Sequence, residues 1–110
     1  METPYTDTQI ADIGDNIIQV LKTIYDPEIP VDIYELGLVY DVQINENGGV
    51  KVVMTLTSPN CPVAESLPQE VKEKVALATG VTEVEIELTF EPAWDRDMMS
   101  EEAKFELGML

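Results

Sequence analysis

The only cysteine of this chain, Cys61, lies between Pro59 and Pro62 at the mouth of a predicted helix. The two prolines place the thiol in a turn, and a helix N-terminus favours the thiolate, the form that binds metals and attacks electrophiles. A free cysteine is also a common small hydrophobe of protein interiors. The local sequence therefore leaves two interpretations of Cys61 open, a reactive thiol and a buried one.

Composition restricts the chemistry that this thiol can join. The 110 residues include no histidine, which removes the commonest general base and the commonest imidazole ligand. A hydrolase in which histidine activates serine or cysteine is excluded, and so is a structural zinc site, which needs about four Cys or His ligands. One cysteine cannot form an internal disulfide.

The chain is strongly acidic, with 6 basic and 22 acidic residues and a net charge of −16. This charge opposes binding to nucleic acid and to anionic membranes. The sequence also has no apolar stretch of about 18 residues and no signal-like N-terminus, so we expect a cytoplasmic location. The acidic surface serves either solubility or docking onto a basic protein.

The spacing of apolar residues predicts a first helix from Gln9 to Tyr25. Thr6 can form a capping box with Gln9, and Pro27 ends the helix because proline disfavours helical geometry in the residue before it. A short final helix is predicted between Ser100 and Leu107, with Ser100 as its cap. The adjacent Met98 and Met99 suggest an adaptable apolar surface.

A second helix is predicted after the cysteine turn and ends at Gly80. Its start stays open because of Pro68. Proline is tolerated in the first turn of a helix that begins near Ser66, but it would kink a helix that begins at Pro62.

Alternation of apolar and polar residues predicts three strands, Leu38–Asn45, Val50–Leu56 and Val84–Phe90. The first two are joined by a glycine-rich link suited to a hairpin. In the third strand, apolar residues alternate with glutamates, so one face of the sheet must be exposed to solvent. On the first strand the predicted apolar face consists of Leu38, Tyr40, Val42 and Ile44.

This αββαβ order predicts an α+β fold: a single two-layer domain over residues 1–110, with residues 1–7 flexible. The sheet should be small, three-stranded and mixed, because a crossover helix makes the third strand parallel to the second. A short C-terminal helix completes the domain. No cofactor is needed for folding.

The topology brings three irregular segments to one edge of the sheet. The loop that contains Asp26 and Glu28, the turn of Cys61 and the segment of Trp94 all lie at the end where the second and third strands finish. The two carboxylates either shape a thiol site or only cap and solvate a turn, and Trp94 is either a packing lid or a ligand contact.

Three motifs now carry a family resemblance. They are DPEIPVDIYELGLV from Asp26 to Val39, TSPNCP from Thr57 to Pro62, and Trp94 with the Met99-Ser100 pair. With them the chain resembles, from about residue 17 to residue 107, the metal-sulfur cluster assembly domain of SufT-like and PaaD-like proteins. PaaD-like proteins carry extra cysteines in a C-terminal extension; this chain has none, which favours the SufT-like branch.

The resemblance implies a cytoplasmic, non-enzymatic factor in the maturation of iron-sulfur proteins. It implies that Cys61 is the functional residue and a candidate ligand of iron or a labile cluster. Its partners would be iron-sulfur assembly proteins and recipient apoproteins, and not nucleic acid or membranes. The residues expected to support Cys61 are Asp26, Glu28, Thr57, Pro59, Pro62 and Trp94.

Two functions remain open. In the first, the Cys61 thiolate carries or transfers iron or a cluster, since thiolate is the usual ligand of such clusters. One cysteine is not a complete site, so the cluster would be bound between chains, in a homodimer or with a partner. In the second, the chain is an adaptor that recruits recipients without binding metal. A thiol enzyme is disfavoured because no histidine or second cysteine exists to activate or resolve the thiol.

Overall fold

The fold is described from a computed structural model, which describes residues 4–26, 29–56 and 66–108. Its elements are α1 (Asp7–Leu21), β1 (Val39–Ile44), β2 (Gly49–Met54), α2 (Ser66–Val75), β3 (Glu83–Leu88), a 3₁₀ turn (Arg96–Met98) and α3 (Glu101–Glu106). The sheet order is β1-β2-β3, with β1 antiparallel and β3 parallel to β2. The predicted α+β architecture with a mixed sheet is confirmed.

Helix α1 begins as predicted and ends earlier than predicted. Thr6 and Gln9 form a complete capping box, but the helix stops at Leu21 and not at Tyr25. The competing interaction is tertiary, because Tyr25 forms a β-bridge with Asp32 in the next segment. Residues 1–7 are predicted to be flexible. Within this range the structure describes residues 4–7, and Tyr5 is held there by a hydrogen bond from its backbone N–H to Glu46 O.

Strand β1 contains an irregularity that the alternation pattern does not reveal. Val39 pairs with Met54 and Asp41 with Val53, so Tyr40 is an extra residue on β1. A bulge of this kind shifts the faces of the strand on one side of it. Val39 therefore packs against the core, and the prediction that Tyr40 shares the apolar face with Val42 is wrong.

The core lies between the two helices and one face of the sheet. On the central strand β2 the inward side chains are buried and the outward ones are half-exposed. The buried cluster includes Ile17, Leu21, Leu38, Val52, Met54, Val71 and Val75. The opposite face carries the exposed glutamates of β3, as the sequence predicts. In the described parts of the chain, no helix has the length and apolar character to cross a bilayer.

The described part of α2 begins at Ser66. This start puts Pro68 in the first turn, where its missing N–H leaves no helical hydrogen bond unmade. Leu67 on the same turn is buried, in line with the predicted apolar face of this helix.

The segment after β3 crosses the end of the sheet, and we call residues 89–100 the strap. It begins with the Thr89 N–H donating to Met54 O and ends with the Ser100 N–H donating to Glu35 O. Met99, near the end of the strap, is buried, so the prediction of Met99 as exposed apolar surface is wrong. Ala103 of α3 is also buried, so this helix packs on its own domain.

Gly37 allows the strap to approach the loop between α1 and β1 closely. Its φ of +79° is a left-handed conformation, and a Cβ at this position would collide with the carbonyl of Met98. Gly108 has a similar left-handed φ of +74°, but a Cβ at its position would meet no other atom within 4 Å.

We therefore predict that Gly37→Ala lowers the free energy of unfolding by about 2–4 kcal/mol, from backbone strain and overpacking together. Gly108→Ala is the matched control and should cost only about 1 kcal/mol. Urea unfolding followed by circular dichroism measures both. Equal losses in the two variants would show that the contact between Gly37 and Met98 does not matter.

Candidate functional site

The candidate site lies at the end of the sheet where β1 begins and β2 and β3 finish. The strand pairings confirm that these three ends share one edge. Five of the predicted site residues fall outside the described residues, namely Cys61, Glu28, Thr57, Pro59 and Pro62. The structure describes the other two, Asp26 and Trp94, and the two points where the cysteine segment joins the fold, Leu56 and Ser66.

The cysteine segment leaves the fold from the end of β2. Thr55 and Leu56 are both buried, and the Thr55 N–H donates to Leu38 O at 2.8 Å. This bond joins the exit of β2 to the residue just before β1. The chain therefore enters the segment from a fixed point beside the start of the first strand.

Asp26 lies in a tight loop that returns on itself. The Tyr25–Asp32 bridge and the hydrogen bond from the Ile33 N–H to Ile24 O, at 2.8 Å, bring its two arms together. The Asp26 side chain is only 4% exposed, and its Oδ1 accepts the Ile29 N–H at 3.1 Å. A carboxylate that accepts a backbone N–H in this way stabilises the turn around it.

Trp94, in the strap, is bonded to the loop between α1 and β1. Its indole Nε1–H donates to Leu36 O at 2.7 Å, and its ring packs against the core. The single donor of the indole is therefore used inside the protein. This arrangement supports a packing role for Trp94 and not a polar contact with a ligand.

The turn from Asp32 to Gly37 is the common support of Asp26 and Trp94. Asp32 caps it, since its Oδ2 accepts the Glu35 N–H at 3.0 Å. Lys22, at the end of α1, lies 3.8 Å from a Glu35 carboxylate oxygen and 5.4 Å from the Tyr34 ring centroid. The capped turn predicted from Asp32, Glu35 and Gly37 is thus present, and α1 is tied to it as well.

Tyr40 is a site-supporting residue that the sequence analysis missed. Its hydroxyl donates to Pro92 O at 2.7 Å and lies 3.5 Å from the Met98 sulfur. The bulge turns Tyr40 away from the core and toward the strap. No sequence signal marks this role, because a tyrosine in an alternating strand looks like a core residue.

The described residues alone do not form a metal site. Among residues 4–26, 29–56 and 66–108, no group of three or more Cys, Asp or Glu side chains is placed to bind an ion. What they form is a rigid frame: a capped acidic loop, a clamped indole and a fixed strand end. None of these described groups supplies a thiolate, the soft ligand that iron-sulfur clusters use.

The Asp26 contact can be tested by substitution. Asp26→Ala leaves the Ile29 N–H without its acceptor in a half-buried turn, and we expect a loss of about 1–3 kcal/mol in the free energy of unfolding. Asp26→Asn keeps one acceptor oxygen and should lose about half as much. Chemical denaturation measures both losses; an alanine variant as stable as the parent would contradict a structural role for this carboxylate.

The strap contacts give a second prediction. Trp94→Phe removes the donor to the buried Leu36 and should cost about 1–2 kcal/mol, because that carbonyl is left unpaired. Tyr40→Phe removes a more exposed hydrogen bond to Pro92 and should cost about 0.5 kcal/mol. Thermal unfolding by circular dichroism ranks the two, and the reverse order would show that the strap is held mainly at Tyr40.

Comparison with known proteins gives a consistent result. Residues 14–87 match the family described as iron-sulfur cluster assembly protein. An Fe-S protein maturation auxiliary factor of Porphyromonas gingivalis is 54% identical over 96 residues, which cover 87% of this chain and 91% of that protein. The auxiliary factor SufT of Staphylococcus aureus is 40% identical over 86 residues, covering 78% of this chain and 98% of that one.

A solved structure agrees with the fold. The crystal structure of a domain of unknown function, DUF59, from Bacillus anthracis superposes with a TM-score of 0.84 at 36% identity, covering 91% of this chain and 95% of that chain. Since the family match spans most of the chain and the relatives match along nearly their whole length, this chain is a member of the iron-sulfur cluster assembly protein family, in its SufT-like branch.

Proposed function

We propose that this protein is a maturation factor for iron-sulfur proteins, in which the Cys61 thiolate holds iron or a labile cluster and passes it to a recipient apoprotein. Family membership supports the process, and the names of the relatives support an auxiliary, non-catalytic part in it. The observation that carries the role of Cys61 is that it is the only cysteine, in a segment that starts from the fixed end of β2 at Leu56.

The proposed cargo binding is incomplete within one chain. Cys61 loses its proton when it binds iron, and it supplies one thiolate where iron-sulfur clusters commonly have four cysteine ligands. The other ligands would come from a second copy of the chain, from a small thiol or from the recipient. A site with so few ligands from one protein suits transfer more than storage.

Asp26, Glu28 and Trp94 would support the thiol and not bind the cargo. The capped Asp26 loop and the clamped Trp94 form a frame at the same edge of the sheet, where the cysteine segment begins. In this proposal Glu28, Thr57, Pro59 and Pro62 shape the loops around Cys61. The protein would act in the cytoplasm.

A second candidate function is that of an adaptor. The excess of acidic residues, 22 against 6 basic ones, favours docking onto basic protein surfaces. In that case Cys61 would be a contact and the chain would recruit recipients without holding metal. The two functions differ in one measurable property, namely whether metal binding depends on the thiol.

Anaerobic incubation with iron and sulfide tests the carrier function. We expect a visible-absorption chromophore with the parent chain and its loss in Cys61→Ser, because serine does not provide a soft ligand. Ser58→Ala is the matched control, since it changes the same segment and keeps the thiol. The mass in solution shows whether the chromophore comes with a dimer.

The absence of a chromophore in the parent chain, under conditions in which a known scaffold gains one, would reject the carrier function. The adaptor would then be tested by the affinity of the chain for an apoprotein recipient. An adaptor keeps most of that affinity in Cys61→Ser at low salt, because its charged surface is unchanged, and loses it as salt screens its charges.

A further inference from the structure

We propose that the free edge of β3, together with the groove between β3 and α2, binds an extended basic segment of a partner protein as a fourth strand of the sheet. The surface does not include Cys61, so the proposal goes beyond the transfer function and does not depend on it. It rests on the hydrogen-bond register, on the shape of the groove and on the charges beside it.

The register shows which backbone groups of β3 point away from the sheet. Thr89 donates its N–H to Met54 O, and Met54 is paired with Leu88 in the parallel ladder. In such a ladder the residue paired with Met54 directs its own N–H and C=O to the other side. Leu88 therefore faces outward, and so, at intervals of two, do Ile86 and Val84.

These outward groups are available for pairing. In the described parts of the chain, β3 is the last strand of the sheet, and no loop or side-chain hydrogen bond involves the backbone of Val84, Ile86 or Leu88. Unpaired edge groups are a template for another strand. Extended peptides commonly bind proteins in this way, with the main chain supplying affinity.

The other edge of the sheet is closed to such pairing. On β1 the outward N–H of Val42 is occupied by the Asp41 carboxylate, whose Oδ1 accepts it at 2.9 Å. The bulge at Tyr40 interrupts the same edge. Bulges and inward or capping charges are the usual means by which proteins protect an edge, so β1 is protected and β3 is not.

The groove beside β3 has a mixed lining, with apolar residues of β3 next to polar residues of β3 and α2. It has a volume of about 390 Å³ and is lined by Pro68, Gln69 and Lys72 of α2 and by residues 83–86 of β3. The inward side chains of β3 become more exposed along the strand, from 8% at Val84 to 38% at Leu88. On this side of the sheet, an apolar side chain of a fourth strand would lie next to Ile86 and Leu88.

The other face of β3 selects basic side chains. Glu83, Glu85 and Glu87 stand at alternate positions and are exposed. Lys51 lies 3.8 Å from Glu85 and 3.0 Å from Glu87, and the hydrogen bond to Glu87 raises the pKa of Lys51. One lysine among these three carboxylates leaves a net negative row, and opposite charges on neighbouring strands attract each other.

The two faces together define the occupant as an extended segment in which basic and apolar residues alternate. Because side chains of a strand alternate between faces, its lysines or arginines would lie opposite the glutamates while its apolar residues lie beside Ile86 and Leu88. The acidic row also repels segments of the wrong charge, which gives specificity to an otherwise open edge.

A synthetic peptide with the sequence KVKVKVK tests this proposal on the full chain. We expect backbone amide shifts and slowed hydrogen exchange at Val84, Ile86 and Leu88, measured by NMR. Ile86→Pro removes the outward N–H and should weaken binding at least tenfold, measured by fluorescence anisotropy. Ile86→Val, the matched control with a similar volume and an intact N–H, should stay within about twofold of the parent.

The charge row has its own test, which does not depend on the proline variant folding. The double variant Glu85→Gln, Glu87→Gln should weaken binding at least threefold. The double variant Glu101→Gln, Glu102→Gln removes as many charges from α3 and should have little effect. The peptide KKVVVKK has the same composition without the alternation, and the proposal is overturned if it binds equally well. It is also overturned if the amide shifts lie at Val42 or on α3, or if both charge variants weaken binding equally.

Discussion

The turn from Asp32 to Leu38 is the element on which the rest of this structure depends. Its carbonyls and its glycine receive three groups of the strap, namely the Trp94 indole, the Met98 carbonyl and the Ser100 N–H. The Leu38 carbonyl accepts from Thr55, which fixes the end of β2. Because one short turn accepts contacts from four residues, three of the strap and one at the end of β2, a change there is transmitted to the whole edge of the sheet.

The same contacts fix the end of β2, which leads through Leu56 into the part of the sequence that contains Cys61. Hydrogen bonds and buried side chains define the end of β2 at Thr55 and Leu56 and the turn that Asp26 caps. The number of thiolate ligands in the chain limits the metal chemistry that it can perform alone. One cysteine is one ligand, so any cluster bound here must be shared with another molecule.

Part of the large negative charge of this chain lies in a regular row on the exposed face of the sheet. The glutamates of β3 stand in a row beside an edge without a partner strand, while the β1 edge is capped by Asp41. In the proposed strand addition, these carboxylates select the charge of the partner. The end of the sheet where β2 finishes and the outer edge of β3 meet at Leu88, which is paired with Met54.

The sequence by itself determined the order of elements, the wet face of β3, the capped ends of α1 and α3, and a lone thiol without histidine, because periodicity, caps and composition are local properties. Only the tertiary structure decided the early end of α1, the bulge at Tyr40, the burial of Met99 and the edge left free. The end of α1 depends on the bridge between Tyr25 and Asp32. The others depend on how segments far apart in the chain pack together, as Tyr40 does with Pro92, and such contacts leave no periodic trace in the sequence.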